Sequence, residues 1–373
     1  MNQQMDKCIY FFIGTEAELI KIFPIMILLQ EMDIKYKTIA SGQNDILKSN
    51  VLKQVNGGKI DIILSNSYNI KKTTLGLFFW FLKTYFAAKE ILKNERELKG
   101  SILLVHGDTI STVMGARLGH KSGMKVAHVE AGLRSFDIFN PFPEEIDRLI
   151  VSKFAHLHFA PNQLAYDNLK RIKGKKYNTQ GNTILDSLRF SNNVQVVSKL
   201  LENMDKRYFV FIMHRQENLA NKDFVISVID KIIKISQSIK CIMILHEPTE
   251  LKLKEYKLFD TVKNDNNIIT MPRVEYFDFM KYLKNSEFVI TDGGSNQEEL
   301  AYIGKPCLIM RKRTERSDGI GKNIIMYEGN INIIDDFAKN YKKYEIDCVM
   351  NSISPSEIIV NALMENIKVF QHE

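Results

Sequence analysis

Cysteine and proline are scarce in this sequence, and closely spaced cysteine pairs are absent. The 373 residues include eight prolines and four cysteines, which are Cys8, Cys241, Cys307 and Cys348. Because these cysteines are far apart and form no CxxC pair, the sequence predicts neither a zinc site nor a disulfide framework. The N-terminus also has no basic start or cleavage site of a signal peptide. We therefore expect a protein of the reducing cytoplasm.

A strong excess of one charge is missing too. Lysine and arginine together number 51 against 44 aspartates and glutamates, so the formal net charge is only +7. No basic block is interleaved with aromatic residues, so no nucleic acid is expected as a partner. The mild surplus of positive charge fits a small anionic ligand.

Long hydrophobic runs are also missing. The stretch LGLFFWFLKTYF, residues 75–86, has an unbroken apolar part that extends only from Leu77 to Leu82. A membrane-spanning helix needs roughly 20 such residues, so no transmembrane segment is predicted. The simpler interpretation is a helix that packs on a sheet, and the alternative is a weak contact with a membrane surface near Trp80.

The sequence does contain a repeated alternation of short β-rich runs with longer helical stretches. The runs are continuous and apolar, which is typical of strands buried on both faces of a parallel sheet. The alternation predicts an α/β fold with two doubly wound, Rossmann-like parallel sheets. The predicted strands are residues 8–14, 35–41, 60–64, 101–107, 125–130, 155–161, 208–214, 241–246, 267–271, 286–291 and 306–310.

These strands fall into two series, which predict two domains. We assign residues 1–183 to an N-terminal domain, 184–355 to a C-terminal domain and 356–373 to a closing helix. No Pro/Gly-rich linker separates the two domains, so their connection should be short. The cleft between them is the expected ligand site.

Polar residues collect where the predicted strands end. His106 and Asp108 follow the fourth strand, Glu130 follows the fifth, and His214 follows the first strand of the second half. Ligands of open α/β sheets bind at the carboxyl ends of the strands. These side chains are therefore the first candidates for a functional site.

A run of small residues, Gly293, Gly294 and Ser295, follows a later strand and precedes a helical stretch. Small residues let backbone N–H groups close on an anion, and the start of a helix adds positive potential. The same residues also suit an ordinary turn between a strand and a helix. A diphosphate cradle and a plain turn are equally supported by this pattern.

Three carboxylates, Asp108, Glu130 and Glu144, allow three interpretations: metal ligands, acid/base groups or a solvated loop. Magnesium usually takes only one or two carboxylates and keeps water and substrate phosphates. The nearby Arg134 and Arg148 favour an organic phosphate instead. Carboxylates in a closing cleft can act as acid and base, so we predict proton transfer without a metal.

Other titratable residues have simpler interpretations. Glu145 and Asp147 fit the role of acids in the first turn of a helix. His156 and His158 alternate in a predicted strand and are interpreted as structural. His246 ends a predicted strand, where a ligand contact and a helix-capping loop are both open interpretations.

Motifs in one order along most of the chain resemble those of the UDP-N-acetylglucosamine 2-epimerases. The resemblance extends from about residue 10 to about residue 330. The main motifs are HGDTIST (106–112), HVEAGLRS (128–135), PFPEEIDR (141–148), HFAPN (158–162), GNTILDSL (181–188) and HRQEN (214–218). The resemblance implies two Rossmann-like domains in the GT-B arrangement, a UDP-sugar substrate, no cofactor and a homodimer.

The resemblance also implies a reaction. UDP is eliminated from the sugar across C1 and C2 to give 2-acetamidoglucal, and it is added back after C2 is protonated from the other face. This interconverts UDP-N-acetylglucosamine and UDP-N-acetylmannosamine for surface polysaccharides. Alternatives are the hydrolysing reaction, which releases N-acetylmannosamine and UDP, a glycosyltransferase on the same scaffold, and a sensor of the nucleotide sugar.

Residues at the matching positions are the predicted site. The expected catalytic residues, which comprise the acid/base carboxylates and two cationic partners, are Asp108, Glu130, Glu144, His214 and Arg148. The expected substrate-binding residues are Lys21, His106, Arg134, Asn182, Phe279, Gly293, Gly294, Ser295, Glu299 and Arg316.

The chain departs from the family pattern at the nucleotide edge. Glu16 stands where an arginine is usual, Ser295 carries a hydroxyl that is usually two places earlier, and Ser317 replaces a proline. Asn44 stands where members with an activator site have a histidine. Because the carboxylates are intact, we expect the chemistry to be kept and the nucleotide contacts to differ.

Overall fold

The chain forms two compact units in a computed structural model, which describes residues 8–66, 74–93, 98–138, 142–195, 199–202, 207–314, 316–348 and 352–370. Unit 1 comprises Met1–Phe190 with Ser352–Glu373, and unit 2 comprises Ser191–Asn351. The last helix therefore belongs to unit 1. The domain boundaries expected at residues 183 and 355 lie close to these divisions and stay predictions.

Thirteen strands occur among the described residues. In chain order they are β1 (Ile9–Ile13), β2 (Tyr36–Ala40), β3 (Ile62–Ile63), β4 (Ile102–His106), β5 (Lys125–Val129), β6 (Leu157–Ala160), β7 (Lys175–Asn178), β8 (Tyr208–Ile212), β9 (Lys240–Leu245), β10 (Ile268–Pro272), β11 (Val289–Thr291), β12 (Cys307–Ile309) and β13 (Ile324–Met326).

Each unit contains one sheet, and every pair of neighbouring strands is parallel. The sheet of unit 1 has the order β3-β2-β1-β4-β5-β6-β7, and that of unit 2 has the order β10-β9-β8-β11-β12-β13. Both follow the doubly wound Rossmann order, whose direction reverses between the first and fourth strands. The predicted fold class is confirmed.

All eleven predicted strands are present, and two edge strands were missed. β7 has the sequence KKYN, which lacks the apolar run on which the prediction depended. Lysines are common on edge strands because they oppose pairing with another chain. β13 is a three-residue edge strand, Ile324–Met326, and it was not predicted.

The helices connect these strands. They are α1 (Glu16–Glu31), α2 (Thr74–Lys93), α3 (Ile110–Lys121), α4 (Glu144–Phe154), α5 (Gln163–Asn168), α6 (Ile184–Asn193), α7 (Lys199–Glu202), α8 (Gln216–Leu219), α9 (Lys222–Ser236), α10 (Glu247–Glu255), α11 (Phe259–Lys263), α12 (Tyr276–Asn285), α13 (Gly294–Ile303), α14 (Ile333–Asn340) and α15 (Pro355–Phe370). Short 3-10 turns lie at Leu52–Gln54, Asn56–Gly58 and Tyr341–Tyr344.

Threonines start the two helices nearest the reversal in unit 1. Thr15 follows β1, and its side chain accepts a hydrogen bond of 3.2 Å from the backbone N–H of Glu18. Thr109 follows β4, and its side chain accepts a hydrogen bond of 3.2 Å from the backbone N–H of Thr112. Such caps satisfy N–H groups that the first helical turn leaves without partners. Both helices therefore begin directly at the carboxyl ends of adjacent strands.

Close packing of α3 on the sheet fixes this arrangement. Every residue of β1 and β4 is buried. On the facing side of α3, a Cβ added to Gly115 would lie 2.7 Å from the ring of Phe12, closer than atoms pack. Glycine is therefore required at this position for α3 to approach β1.

Helix α2 packs on unit 1 through one face, as the simpler interpretation of its sequence predicted. Trp80, Tyr85 and other apolar residues of that face belong to the hydrophobic core of unit 1. The opposite face exposes Phe78, Phe79 and Phe86, whose accessible fractions are 54%, 62% and 63%. In the ranges that the structure describes, no helix is both long and apolar enough to cross a membrane.

Two histidines are buried side by side in the sheet of unit 1. His128 of β5 and His158 of β6 are register partners. The Nε2 atom of His128 lies 2.8 Å from the carbonyl oxygen of Gly107, and that of His158 lies 2.8 Å from the carbonyl oxygen of Lys173. Burial lowers the pKa of His128 to about 4, so its imidazole is neutral at physiological pH.

This neutral histidine should make the fold sensitive to acid. Between pH 6.5 and pH 4 the unfolded chain binds a proton at His128 that the folded chain does not, so stability falls as pH falls. From pH 7 to pH 5 the loss attributable to His128 should be about 2 kcal/mol.

Denaturant unfolding at both pH values measures this loss. His128→Gln should reduce the difference in unfolding free energy between pH 7 and pH 5. His120→Gln, at an exposed position of α3, should leave the difference unchanged. An equal pH dependence in wild type and His128→Gln would contradict the assignment.

Candidate active site

The carboxyl ends of β1, β4 and β5 gather most of the residues predicted for the acid/base site. β4 pairs with β1 on one side and with β5 on the other. The loops that follow these three strands therefore begin at the same edge of the sheet, at its topological reversal. From these loops and from helices α1 and α4 come Lys21, His106, Asp108, Glu130 and Arg148.

Glu130 lies immediately after β5 in an unusual backbone conformation. Its φ is 65°, in the left-handed region that residues other than glycine rarely adopt. Its side chain is buried, and one oxygen, Oε2, lies 2.8 Å from Lys21 Nζ and 3.2 Å from His106 Nε2. A carboxylate held between an ammonium and an imidazole is well placed to accept and return a proton.

Arg148 holds a second set of carboxylates. Its Nε donates to Asp108 Oδ2 at 2.8 Å, and its Nη1 donates to Glu145 Oε2 at 3.4 Å. Glu145 also contacts the Arg134 guanidinium and accepts from the backbone N–H of Ser135 at 3.1 Å. Burial alone would raise the pKa of Glu145, but the bonds from Arg134 and Ser135 outweigh it and lower that pKa.

The structure therefore gives Glu145 more than the role predicted from sequence. It does lie in the first turn of α4, as expected. It is also fully buried and joins Arg134 to Arg148, so it orients the arginine that contacts Asp108. The sequence alone did not show that Glu145, and not the adjacent Glu144, would join the two arginines.

Glu144 differs from the other two predicted acid/base carboxylates. Asp108 is held by Arg148 and Glu130 by Lys21. Glu144 Oε2, by contrast, is a buried atom with no hydrogen-bond partner among the residues described. A buried polar atom without a partner is costly, so the contact of Glu144 with a substrate stays a prediction.

Glu18 is a residue of this edge that the sequence-based prediction missed. Its Oε2 accepts from the backbone N–H of Gly14 at 2.7 Å, and its Oε1 accepts from Thr109 Oγ1 at 2.6 Å. It therefore ties the loop after β1 to the loop after β4. Burial raises the pKa of Glu18 to about 7, although these hydrogen bonds oppose the shift. The Thr15-x-x-Glu18 spacing is a helix-start signature, and it was the available signal.

Two predicted substrate-binding residues of unit 1 also have structural roles. Asn182 is buried, and its Oδ1 accepts from the backbone N–H of Ile184 at 3.1 Å, where α6 begins. The Arg134 guanidinium lies 4.9 Å from the centre of the Phe136 ring. Their contacts with a substrate stay predictions.

In unit 2, Asp292 organises the corresponding edge at the end of β11. It is completely buried and accepts hydrogen bonds of 3.0 Å each from the backbone N–H groups of His214 and Arg215 and from Asn218 Nδ2. These three donors follow β8, which pairs with β11. One carboxylate therefore fixes the loop that carries the predicted catalytic histidine.

That histidine stacks on another. The rings of His214 and His246 are nearly parallel, with centroids 4.7 Å apart. Burial, then the neighbouring His214 and Arg273, lower the pKa of His246 to about 4. Burial also lowers the pKa of His214. His246 is the N-cap residue of α10, in agreement with the capping-loop interpretation, although its side chain makes no capping hydrogen bond.

The start of α13 brings two arginines to the small-residue run. A Cβ added to Gly294 would lie 3.4 Å from Arg311 Nη1 and 3.5 Å from Arg316 Nε. Gly293 precedes the first turn of the helix, and Ser295 lies half-buried within it. The Arg316 guanidinium also pairs with the buried Glu298. Guanidinium groups beside a helix N-terminus are suited to contact an anion. Arg311 gave no signal in the sequence.

Two further predicted residues lie on helices of unit 2. Glu299 of α13 is buried and accepts from Asn296 Nδ2 at 3.1 Å. Phe279 of α12 is half-buried. Across the described ranges, no group of three or more His, Cys, Asp or Glu side chains is positioned to hold a metal ion.

Two Rossmann-ordered sheets, one ending in carboxylates and the other in a cationic helix start, define a double Rossmann-like protein with a candidate acid/base site. Comparison with known proteins identifies its family. The family model described as UDP-N-acetylglucosamine 2-epimerase matches residues 27–352. The chain therefore belongs to the UDP-N-acetylglucosamine 2-epimerase family.

Individual relatives agree with this assignment. The chain is 30% identical to UDP-N-acetylglucosamine 2-epimerase of Methanocaldococcus jannaschii over 86% of its length and 89% of the relative's. It is also 30% identical to the enzyme of that name from Campylobacter jejuni, over 87% and 86% of the two chains.

Solved structures resemble the chain as a whole. The crystal structure of the M. jannaschii UDP-GlcNAc 2-epimerase in complex with UDP-GlcNAc and UDP has a TM-score of 0.80 at 29% identity, covering 96% of this chain and 99% of that one. The Neisseria meningitidis UDP-GlcNAc 2-epimerase bound to UDP-GlcNAc has a TM-score of 0.80 at 25% identity, covering 96% and 100%.

The role of Asp292 predicts a large cost for its removal. Asp292→Ala should lower the unfolding free energy of unit 2 by about 3 kcal/mol, because it leaves several buried donors without an acceptor. Asp260→Ala, at an exposed position of α11, should change it by less than about 0.5 kcal/mol. Urea unfolding measures both, and a similar small effect of the two substitutions would refute the role of Asp292.

Proposed function

We propose that this protein is a UDP-N-acetylglucosamine 2-epimerase that interconverts UDP-N-acetylglucosamine and UDP-N-acetylmannosamine by elimination and re-addition of UDP. The observation that carries the proposal is the position of Asp108 and Glu130 after adjacent strands of one sheet edge, with Arg148 of α4 binding Asp108 and Glu144 in the first turn of the same helix. A nucleotide-sugar sensor has no need of such a set. Membership of the family, and relatives with UDP-GlcNAc bound, support the choice of substrate.

Elimination requires a base that removes the proton from C2 of the sugar, and re-addition requires an acid that returns it on the opposite face. Two separately held carboxyl groups can meet this requirement. Glu130 lies between Lys21 and His106, whereas Glu144 has a buried oxygen without a hydrogen-bond partner among the described residues. We assign the two proton transfers to these two residues, with Asp108 and Arg148 orienting the sugar between them.

Departure of UDP leaves negative charge on a diphosphate oxygen, and unit 2 offers the groups that stabilise it. Arg311 and Arg316 lie beside Gly294 at the start of α13, where backbone N–H groups point outward. Fixed cations and N–H groups aimed at developing charge stabilise a transition state without reorganisation. His214 is assigned to the same phosphates. The product would supply N-acetylmannosamine units for surface polysaccharides.

Proton NMR with UDP-N-acetylglucosamine in deuterated buffer tests the proposal. The expected result is a UDP-N-acetylmannosamine signal with deuterium at C2. Free UDP with N-acetylmannosamine would instead identify the hydrolysing reaction. Transfer of the sugar to an acceptor without exchange at C2 would identify a glycosyltransferase, and the absence of exchange and of UDP release would refute the choice of substrate.

Substitution of Glu130 tests the acid/base assignment directly. Glu130→Gln keeps the side-chain shape but removes the basic oxygen, so C2 exchange should fall at least about 100-fold. Glu31→Gln, at the exposed end of α1, should leave exchange unchanged. Exchange that survives in Glu130→Gln at the wild-type rate would remove Glu130 from the mechanism.

We also propose that the protein is a homodimer. The three exposed phenylalanines of α2, Phe78, Phe79 and Phe86, form an aromatic patch. Contiguous exposed apolar side chains mark an interaction surface, and contact with a second copy covers the patch on both chains at once. Covering these rings removes apolar area from water, which is the main driving force for such an association.

Phe79→Asp should therefore convert a dimer to a monomer, as measured by light scattering. Leu251→Asp changes an exposed apolar residue of α10, and it should leave the mass unchanged. A monomeric wild type that binds anionic phospholipid vesicles, with binding lost in Phe79→Asp, would show that the patch contacts a membrane surface instead. A dimer that persists in Phe79→Asp would refute the role of the patch.

A further inference from the structure

Asp147 is a buried carboxyl group of the PFPEEIDR segment to which the proposed mechanism gives no role. It lies in the first turn of α4, three residues after Glu144, and its exposed fraction is 8%. Residues at this spacing share a face of a helix. In the part of the chain that the structure describes, Asp147 Oδ2 and Glu144 Oε2 are both buried atoms without a hydrogen-bond partner.

The charges around Asp147 are mostly negative. Asp108, from the loop after β4, and Glu144, from the same helical turn, both act on it. The nearest cation, Arg148, directs its Nε to Asp108 and its Nη1 to Glu145. The Arg148 guanidinium is therefore already engaged by two other carboxyl groups, those of Asp108 and Glu145.

The elements with the most contacts to α4 are α3 and β5. Their cationic side chains include Arg117, Lys121 and Lys125, and none of these is among the groups that shift the pKa of Asp147. β5 contributes His128, which is neutral because burial lowers its pKa to about 4, and β5 is followed by Glu130. His120 and Lys121 lie in the last turn of α3, at the opposite end of that helix from Asp108. The pKa of Asp147 is raised to about 7, mainly by burial and further by the negative charges of Asp108 and Glu144.

We propose that Asp147 is a positioning residue of the acid/base set: it stays protonated and so keeps a third negative charge away from Asp108 and Glu144. A buried carboxyl group beside other carboxyl groups is disfavoured as an anion. An uncharged Asp147 leaves the proton transfers to Glu130 and Glu144. This inference rests on the proposed function.

The proposal has a definite consequence for pH. As pH rises through about 7, Asp147 loses its proton and a third negative charge enters the group. In the wild type, C2 exchange should then fall about tenfold for each further pH unit, as expected for one ionisation. The fall should appear in kcat and not in KM, because Asp147 acts through Glu144 and does not touch the substrate.

Asp147→Asn tests this consequence, because its amide is a permanently neutral substitute. The variant should keep C2 exchange within about threefold of wild type at pH 6.5, and the alkaline fall should be absent up to pH 8.5. Asp186→Asn is the matched control, since Asp186 has an exposed fraction of 9% and is bonded to Arg189 and Ser356 in the same unit. Its alkaline fall should be that of the wild type.

A titration without substrate separates this inference from the proposed function. In protein whose aspartate carboxyl carbons are labelled with ¹³C, one NMR signal should titrate near pH 7. This signal should be present in the wild type and in Asp186→Asn, and absent in Asp147→Asn. The absence of this titration, or an unchanged pH profile in Asp147→Asn, would overturn the inference. If the aspartate titrates near pH 7 but UDP-N-acetylglucosamine is not turned over, the retained proton of Asp147 is established. The proposed function, and the role of Asp147 in it, would then be overturned.

Discussion

Parallel pairing of β4 between β1 and β5 is the constraint on which the candidate site depends. Parallel strands end at the same edge of a sheet, so this pairing alone brings together residues that are far apart in the chain. The pairing requires close contact between α3 and the sheet, which Gly115 permits. Burial of a charged group at this edge is favoured where it finds a partner of opposite charge, as Glu130 does in Lys21.

The two units share one strand topology, but the charged groups at their strand ends differ. In unit 1 the strand ends bring Asp108 and Glu130 close to the carboxyl groups that begin α4, and the proton proposed for Asp147 limits the negative charge there. In unit 2 the buried carboxylate of Asp292 accepts backbone and side-chain donors, and Arg311 and Arg316 lie at the neighbouring helix start, where Arg316 also pairs with Glu298. The first environment suits the movement of protons, and the second suits the binding of an anion.

Much of the fold could be predicted from the sequence, because buried parallel strands are continuous apolar runs and their polar ends are visible in the chain. The edge strand β7 could not, since a lysine-rich strand has no such signal, and the edge strand β13 was also missed. The partners of charged residues were equally hidden. The pairing of Arg148 with Asp108, 40 residues away, depends on how α4 packs against α3 and not on any local pattern.

The left-handed backbone at Glu130 means that function and stability are opposed at this single position. A glycine would adopt the same conformation without strain, whereas a glutamate there costs of order 1 kcal/mol. Selection for stability alone would therefore replace it. Screens for more stable variants of this protein should therefore find substitutions at residue 130 that raise the free energy of unfolding and remove the carboxylate.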